Sequence, residues 1–340
     1  MAADGAIDAT GLHKRFGAVR ALDGVDLTVA QGEIMGLLGH NGAGKTTLVN
    51  ILSTLTPPTS GAASVAGFDV TGRPEEVRRR IGVTGQFASL DEQLSGYDNL
   101  VLVARLCGAS KAQAGDRADE LLEAFGLRDA GARKAVTYSG GMRRRLDLAL
   151  GLVGRPDVLF LDEPTVGLDL LSRIGLWEMV EELARGGTTV LLTTQYLEEA
   201  DRLADRITVL GAGRVLVSGT AAELKSRAGS GSISLRIEPH GDTAVAADAL
   251  HRAGFPPSVE AAQRELTVPA GGSADLATVI RVLDAVGQNV TEIRHSEPSL
   301  DDVYLAFNRA ESSGPAPAHA ARRIATPEAH RRTGDTPETT

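Results

Sequence analysis

The chain has no stretch of 18 or more apolar residues, so no segment reads as able to span a bilayer. Passage of any molecule through a membrane would need a second chain. One cysteine, Cys107, excludes an internal disulfide and agrees with a reducing compartment. It lies in an apolar helical segment and reads as a small core residue. Aromatics make up 4% of the residues, and none interleaves the basic runs Arg78-Arg79-Arg80 and Arg143-Arg144-Arg145. A base-stacking surface is therefore missing. Net positive charge is missing too: 44 Asp and Glu against 35 Lys and Arg leave −9, which argues against a nucleic-acid partner. The segment Met1 to Leu12 has neither a basic start nor an apolar centre, so no secretory signal is expected. There is no internal repeat, and His240, His251 and His295 have no metal-like spacing. At 340 residues and 42% hydrophobic, the chain suits two globular domains with a sizeable core.

Against these absences stands Gly39-His40-Asn41-Gly42-Ala43-Gly44-Lys45-Thr46, which fits the phosphate-binding pattern G-x-x-x-x-G-K-[ST]. The apolar run Ile34 to Leu38 predicts a buried strand leading into it, and Thr46 to Leu55 predicts a helix closed by Pro57-Pro58. Glycines allow a tight turn in which several N–H groups converge on phosphate oxygens. The helix N-terminus adds partial positive charge. Lys45 is placed to reach the β- and γ-phosphates, and the Thr46 hydroxyl to hold Mg²⁺. No N-K-x-D guanine motif accompanies the loop.

Val158-Leu159-Phe160-Leu161-Asp162-Glu163 reads as a strand buried on both faces that ends in two carboxylates. The carboxyl end of such a strand is where open α/β sheets bind ligands. Asp162 can hold Mg²⁺ there, directly or through water, and Glu163 can polarise an attacking water as general base. Upstream, Ser139 is a good N-cap for a helix that opens with Gly140-Gly141-Met142 and continues to Leu150. Amides exposed at that end suit an anion, and the basic run beginning at Arg143 could add to such a site.

The ordered series Gly39–Thr46, Ser139-Gly140-Gly141 and Asp162-Glu163 resembles the nucleotide-binding subunit of an ATP-binding-cassette (ABC) transporter, over about residues 7 to 225. The resemblance implies that the Ser139 loop faces the γ-phosphate bound by the other subunit of a dimer. It implies that Phe16 stacks on adenine and that Thr47 adjoins the phosphate site. Gln86 then contacts Mg²⁺ or the attacking water and carries movement to the membrane subunit. Asp169, in Gly167-Leu168-Asp169, sits in the loop that couples the two ATP sites. One phosphate loop per chain makes two sites a matter of two chains, a homodimer.

Two residues depart from the family pattern. His40 stands where proline is frequent, at a position expected to face outward. Gln195 stands where the family places a histidine hydrogen-bonded to the γ-phosphate. Glutamine still donates through its amide but cannot become cationic, so ATP positioning is expected to survive and hydrolysis to slow. The segments Thr84 to Glu92, Thr137 to Asp147, Leu192 to Leu197 and Pro298 to Leu305 together resemble the daunorubicin-resistance group of drug-exporter ATPases. That implies export of an anthracycline-like molecule by way of an integral membrane permease, with this subunit peripheral on the cytoplasmic face of the cell membrane. A different cargo, such as a lipid or polysaccharide, fits the same ATPase.

The expected architecture is α/β: a P-loop ABC-type nucleotide-binding domain over 1–228, with a mixed sheet and a helical subdomain over about 87–155, then a small α+β domain over 229–310. Antiparallel strands are predicted over about 7–35 with turns at Gly24 and Gly32. Parallel-sheet strands follow at Val158, Thr188 and Ile207, and a hairpin over 207–216. Past the linker Ala228-Gly229-Ser230-Gly231-Ser232, strands and helices alternate as in a ferredoxin-like unit, whose use by family analogy is regulation or dimer contact. Residues 311–340, rich in Pro, Ala, Thr and Arg, are expected to be disordered.

Overall fold

The computed structural model describes residues 5–85, 90–228, 231–260, 262–270, 272–296 and 298–303. The expectations for Gln86 and for the 311–340 tail fall outside the described residues.

The chain starts with β1 (Ile7–Phe16) and β2 (Val19–Val29), an antiparallel pair closed at Gly17. Gly24 is therefore not the turn the sequence suggested. It lies inside β2 with φ 82°, opposite the register shift between Leu12↔Val25 and His13↔Asp23. A bulge and a turn both call for a left-handed residue, so glycine alone does not tell them apart. Next come β3 (Ile34–Leu38), α1 (Lys45–Leu52), β4 (Ser60–Val65), β5 (Phe68–Asp69), α2 (Pro74–Arg78) and β6 (Ile81–Thr84). The helical part holds α3 (Gly96–Leu106), α4 (Lys111–Ala124) and α5 (Gly140–Gly151). Then follow β7 (Val158–Asp162), α6 (Leu170–Arg185), β8 (Thr189–Thr194), α7 (Leu197–Leu203), β9 (Arg206–Gly211), β10 (Arg214–Gly219) and α8 (Ala221–Ala228).

These strands make two sheets. One is antiparallel, in the order β2-β1-β4-β5; the other runs β10-β9-β3-β8-β7-β6, parallel except for β10. The parallel sheet is covered on both faces, which is why its strands read as unbroken apolar runs. Along β7, Val158 and Phe160 pack with Leu48 and Ile51 of α1, while Leu159 and Leu161 pack with Leu146 of α5 and Trp177 of α6. The alternation of side chains thus clamps one strand between the phosphate-loop helix and the helical part. Cys107 corrects the sequence reading: it is exposed, because α3 ends at Leu106 and Cys107 only caps it.

The last part comprises β11 (Ser232–Ile237), α9 (Thr243–Arg252), β12 (Ser258–Glu260), β13 (Glu265–Pro269), α10 (Ser273–Ala285) and β14 (Val290–Ser296). Its antiparallel order β12-β13-β11-β14 is the ferredoxin-like arrangement. It has its own core, with Ile233, Leu235 and Leu266 facing Leu250 and Leu283. The short β12, all three residues exposed, carried no alternation for the sequence to reveal. Beyond β14 the chain returns: Leu300 and Val303 are buried with Leu38, Ala200 and Val209 of the nucleotide-binding part.

Candidate nucleotide site

The loop between β3 and α1 brings the first group of predicted residues together. Gly44 caps α1 at φ 108°. A Cβ there would lie 2.6 Å from the Ala21 carbonyl oxygen, and one at Gly39 would lie 2.6 Å from that of Leu210. Only glycine fits this cradle. His40, Asn41, Gly42 and Thr46 face solvent, Thr47 is half-buried and Ala43 is buried. The outward position of His40 is as its place in the motif predicted.

Lys45 is 5% exposed. Its ammonium donates to the Gly39 carbonyl at 2.6 Å and the His40 carbonyl at 3.3 Å, with a Glu163 oxygen 3.8 Å away. Burial pulls the Lys45 pKa below the usual lysine value, and the Glu163 and Asp162 carboxylates push it part of the way back.

Asp162 and Glu163 stand beside this loop, at the end of β7. Asp162 is buried, and its Oδ2 accepts from Thr46 Oγ1 at 3.2 Å. Its Oδ1 accepts from Thr193 Oγ1 at 2.5 Å. Thr193, on β8, also accepts from the Glu163 amide through its carbonyl and through its hydroxyl, both at 3.1 Å. Thr193 lies in the segment Leu192 to Leu197 but has no assigned role there; it reads as one more threonine in a buried strand. Only the pairing Asp162↔Thr193 between β7 and β8 gives it a role. A Thr193→Val substitution keeps the shape and removes the hydroxyl. It is expected to cost about 1–3 kcal/mol in urea unfolding through the bonds left unmade, and to raise the Mg²⁺ concentration needed for ATP-dependent turnover.

The donor set suits the metal named from the sequence. A threonine hydroxyl and a carboxylate are hard oxygen ligands, and one or two of them beside phosphate oxygens match Mg²⁺ rather than zinc or copper.

Other predicted residues lie apart. Phe16 ends β1, is 53% exposed, and has the Lys14 ammonium 4.9 Å from its ring centroid. The β1–β2 hairpin that carries it reaches the phosphate loop through Ala21. Gln195 is exposed just past β8. Ser139 caps α5, accepting from the Met142 amide at 3.2 Å, and is exposed with Gly140. No hydrogen bond or ion pair among the described residues joins Ser139, Gly140 or Gly141 to the phosphate loop. A Cβ at Gly141 would meet Ser172 Oγ at 2.5 Å, so α5 and α6 approach closely here. Asp169 caps α6, accepting from the Ser172 amide at 2.7 Å, and this bond holds its carboxyl below the usual range. A cleft of about 490 Å³, lined by Gly140, Arg144, Asp147, Glu163, Gly167 and Leu168, separates the start of α5 from the loop after Glu163.

The basic run beside Ser139 corrects another expectation. Arg144 does not face an outside anion. It points inward, half-buried, and donates to backbone carbonyls around Glu163. Three consecutive arginines on a helix fan across most of its circumference, so adjacency in sequence does not make a patch.

Relatives agree with this geometry. The family model described as ABC transporter matches residues 22–166. The daunorubicin resistance ATP-binding protein DrrA3 of Streptomyces coeruleorubidus is 50% identical over 306 residues, covering 89% of this chain and 96% of that protein. The daunorubicin/doxorubicin resistance ATP-binding protein DrrA of Streptomyces peucetius is 48% identical over 310 residues, covering 89% of this chain and 92% of that protein. A solved ATP binding subunit of an ABC transporter superposes with a TM-score of 0.59 at 30% identity, covering 65% of this chain and 92% of the other. With the phosphate loop, the Asp162-Glu163 strand end and the Ser139 cap all in place, the chain belongs to the ABC transporter ATP-binding proteins, in the group of the daunorubicin-resistance subunits.

Proposed function

We propose that this chain hydrolyses ATP to drive export of a daunorubicin-like drug through a separate membrane permease, and so confers resistance. The observation that carries the reading is the junction of Lys45, Thr46, Asp162 and Glu163 at the carboxyl end of the parallel sheet. The names of the full-length relatives supply the drug class. No helix among the described residues is long and apolar enough to cross a membrane, which fits a subunit held peripherally at a permease on the cytoplasmic face.

In this reading two copies form a homodimer. Each ATP lies between the Gly39–Thr47 loop of one and Ser139, Gly140 and Gly141 of the other. Lys45 leaves the Gly39 and His40 carbonyls for the β- and γ-phosphates, and Phe16 covers the adenine. Thr46, Asp162 and Gln86 would hold Mg²⁺, which when bound would offset charge on the phosphate oxygens. Glu163 orients and deprotonates water, with Gln86 and the amide of Gln195 beside the γ-phosphate. Asp169, rigid at the cap of α6, relays closure between the two sites. The ferredoxin-like unit contributes regulation or dimer contact.

The test is MgATP hydrolysis by the chain co-purified with its membrane subunit, with and without daunorubicin. Drug-stimulated turnover is expected. Turnover indifferent to the drug would keep the ATPase and move the cargo to another class, such as a lipid or polysaccharide.

A further inference from the structure

Arg144 lies one helical turn beyond the Ser139 cap, and every N–H of its guanidinium group meets an acceptor. Nε donates to the Pro164 carbonyl at 2.6 Å. Nη2 donates to the carbonyls of Asp162 at 3.3 Å and Glu163 at 3.2 Å. Nη1 donates to the Gly85 carbonyl at 3.1 Å and to Asp147 Oδ2 at 3.0 Å. The group thus gathers the peptides on both sides of Glu163, the peptide leading to Gln86, and a buried carboxylate of its own helix. Its neighbours do otherwise: Arg143 pairs with Glu92 at 3.4 Å at the surface, and Arg145 extends toward Gly126.

Glu163 itself is strained, with φ 49° in the left-handed region. Such a backbone persists in a non-glycine residue only where its surroundings over-determine it. Thr193 holds the amide side of the residue, and Arg144 holds the carbonyl side.

We propose that Arg144 is a positioning residue for hydrolysis: its planar fork ties the backbone of Asp162, Glu163 and Pro164 and the carbonyl of Gly85 to α5, so that the seat of α5 sets the aim of the Glu163 carboxylate. The inference rests on the reading that the Ser139 end of α5 docks on the second chain's ATP. Under that reading, docking at the neighbouring site is conveyed through one rigid turn of helix to the chain's own catalytic glutamate. A lysine cannot replace the fork, because a point charge does not reach four carbonyls in one plane.

The test uses the full chain and two variants. In Arg144→Lys, kcat for MgATP is expected to fall about 100-fold through misaim of Glu163, while KM and the Kd for MgATP stay at the parent values. The double variant Arg144→Met with Asp147→Leu removes both charges at similar volume, a change that keeps buried pairs folded. It is expected to remain folded, with a melting temperature lowered by the four carbonyl bonds left unmade, and to lose about 100-fold in kcat. A folded double variant with parental kcat overturns the inference. So does a loss of MgATP binding in step with kcat, because that is general damage to the site. If the parent chain hydrolyses ATP without cooperativity and independently of protein concentration, the two-chain reading fails instead. A concentration-dependent parent with active variants fails only the role of Arg144.

Discussion

Replacing Glu163 with Gln is expected to cut kcat for MgATP about 10³-fold, the share of a well-placed general base, and to leave MgATP binding at least as tight as in the parent. Glutamine keeps the length and planarity of the side chain, so the strained backbone held by Thr193 and Arg144 has no steric reason to move. What changes is the proton acceptor and one negative charge. That charge lies 3.8 Å from Lys45, and in the ligand-free chain it competes with phosphate for the ammonium. Its removal therefore favours the nucleotide while stopping the chemistry. Single-turnover kinetics give the first number and equilibrium titration the second. Size-exclusion chromatography with MgATP should show the variant held as a dimer, since closed sites no longer empty by hydrolysis. Unchanged turnover would remove Glu163 as base.

The positions legible from sequence share one property: chemistry dictates both their residue type and their spacing. A phosphate cradle needs glycine where a Cβ would strike backbone, and it needs an amine and a hydroxyl at the helix start. Gly39, Gly44, Lys45 and Thr46 satisfied this in one short segment. Asp162 and Glu163 were legible because a strand buried on both faces is a continuous apolar run, and carboxylates at its end stand out. Ser139 was legible as a helix cap for a purely local reason, the bond its hydroxyl accepts from the Met142 amide.

The residues that sequence reading missed act across the chain. Thr193 matters because β8 lies beside β7, and Arg144 because α5 crosses behind the same strand end. Neither fact has a local trace. Trp177 is similar: its indole donates to the buried Glu199 at 3.0 Å, joining α6 to α7 across 22 residues of chain. The Gly24 bulge and the exposure of Cys107 failed for the opposite reason. There the local signal was present but had two structural solutions, and packing chose between them.

Lys45→Met should give the reverse of the Glu163 result, losing binding before chemistry. A charge-assisted contact contributes about 1.5–3 kcal/mol, so the Kd for MgATP is expected to rise roughly ten- to a hundredfold. Methionine keeps the apolar stem and fits the buried channel, so loss of affinity will not be loss of fold. The pH dependence separates charge from packing. Burial holds the Lys45 pKa below the ordinary lysine value, against the opposing pull of Glu163 and Asp162. In the free protein the ammonium therefore begins to lose its proton at a lower pH than an ordinary lysine. Bound phosphates favour the cation and raise the pKa again, so binding takes up a proton once pH passes the lowered value. The sign follows: MgATP affinity is full below the lowered pKa and declines as pH rises through it, before the ordinary lysine value is reached. Titrations across the alkaline range should show that decline in the parent chain and not in Lys45→Met. A parental affinity flat up to the ordinary lysine value would mean that Lys45 is not the cation that the phosphates meet.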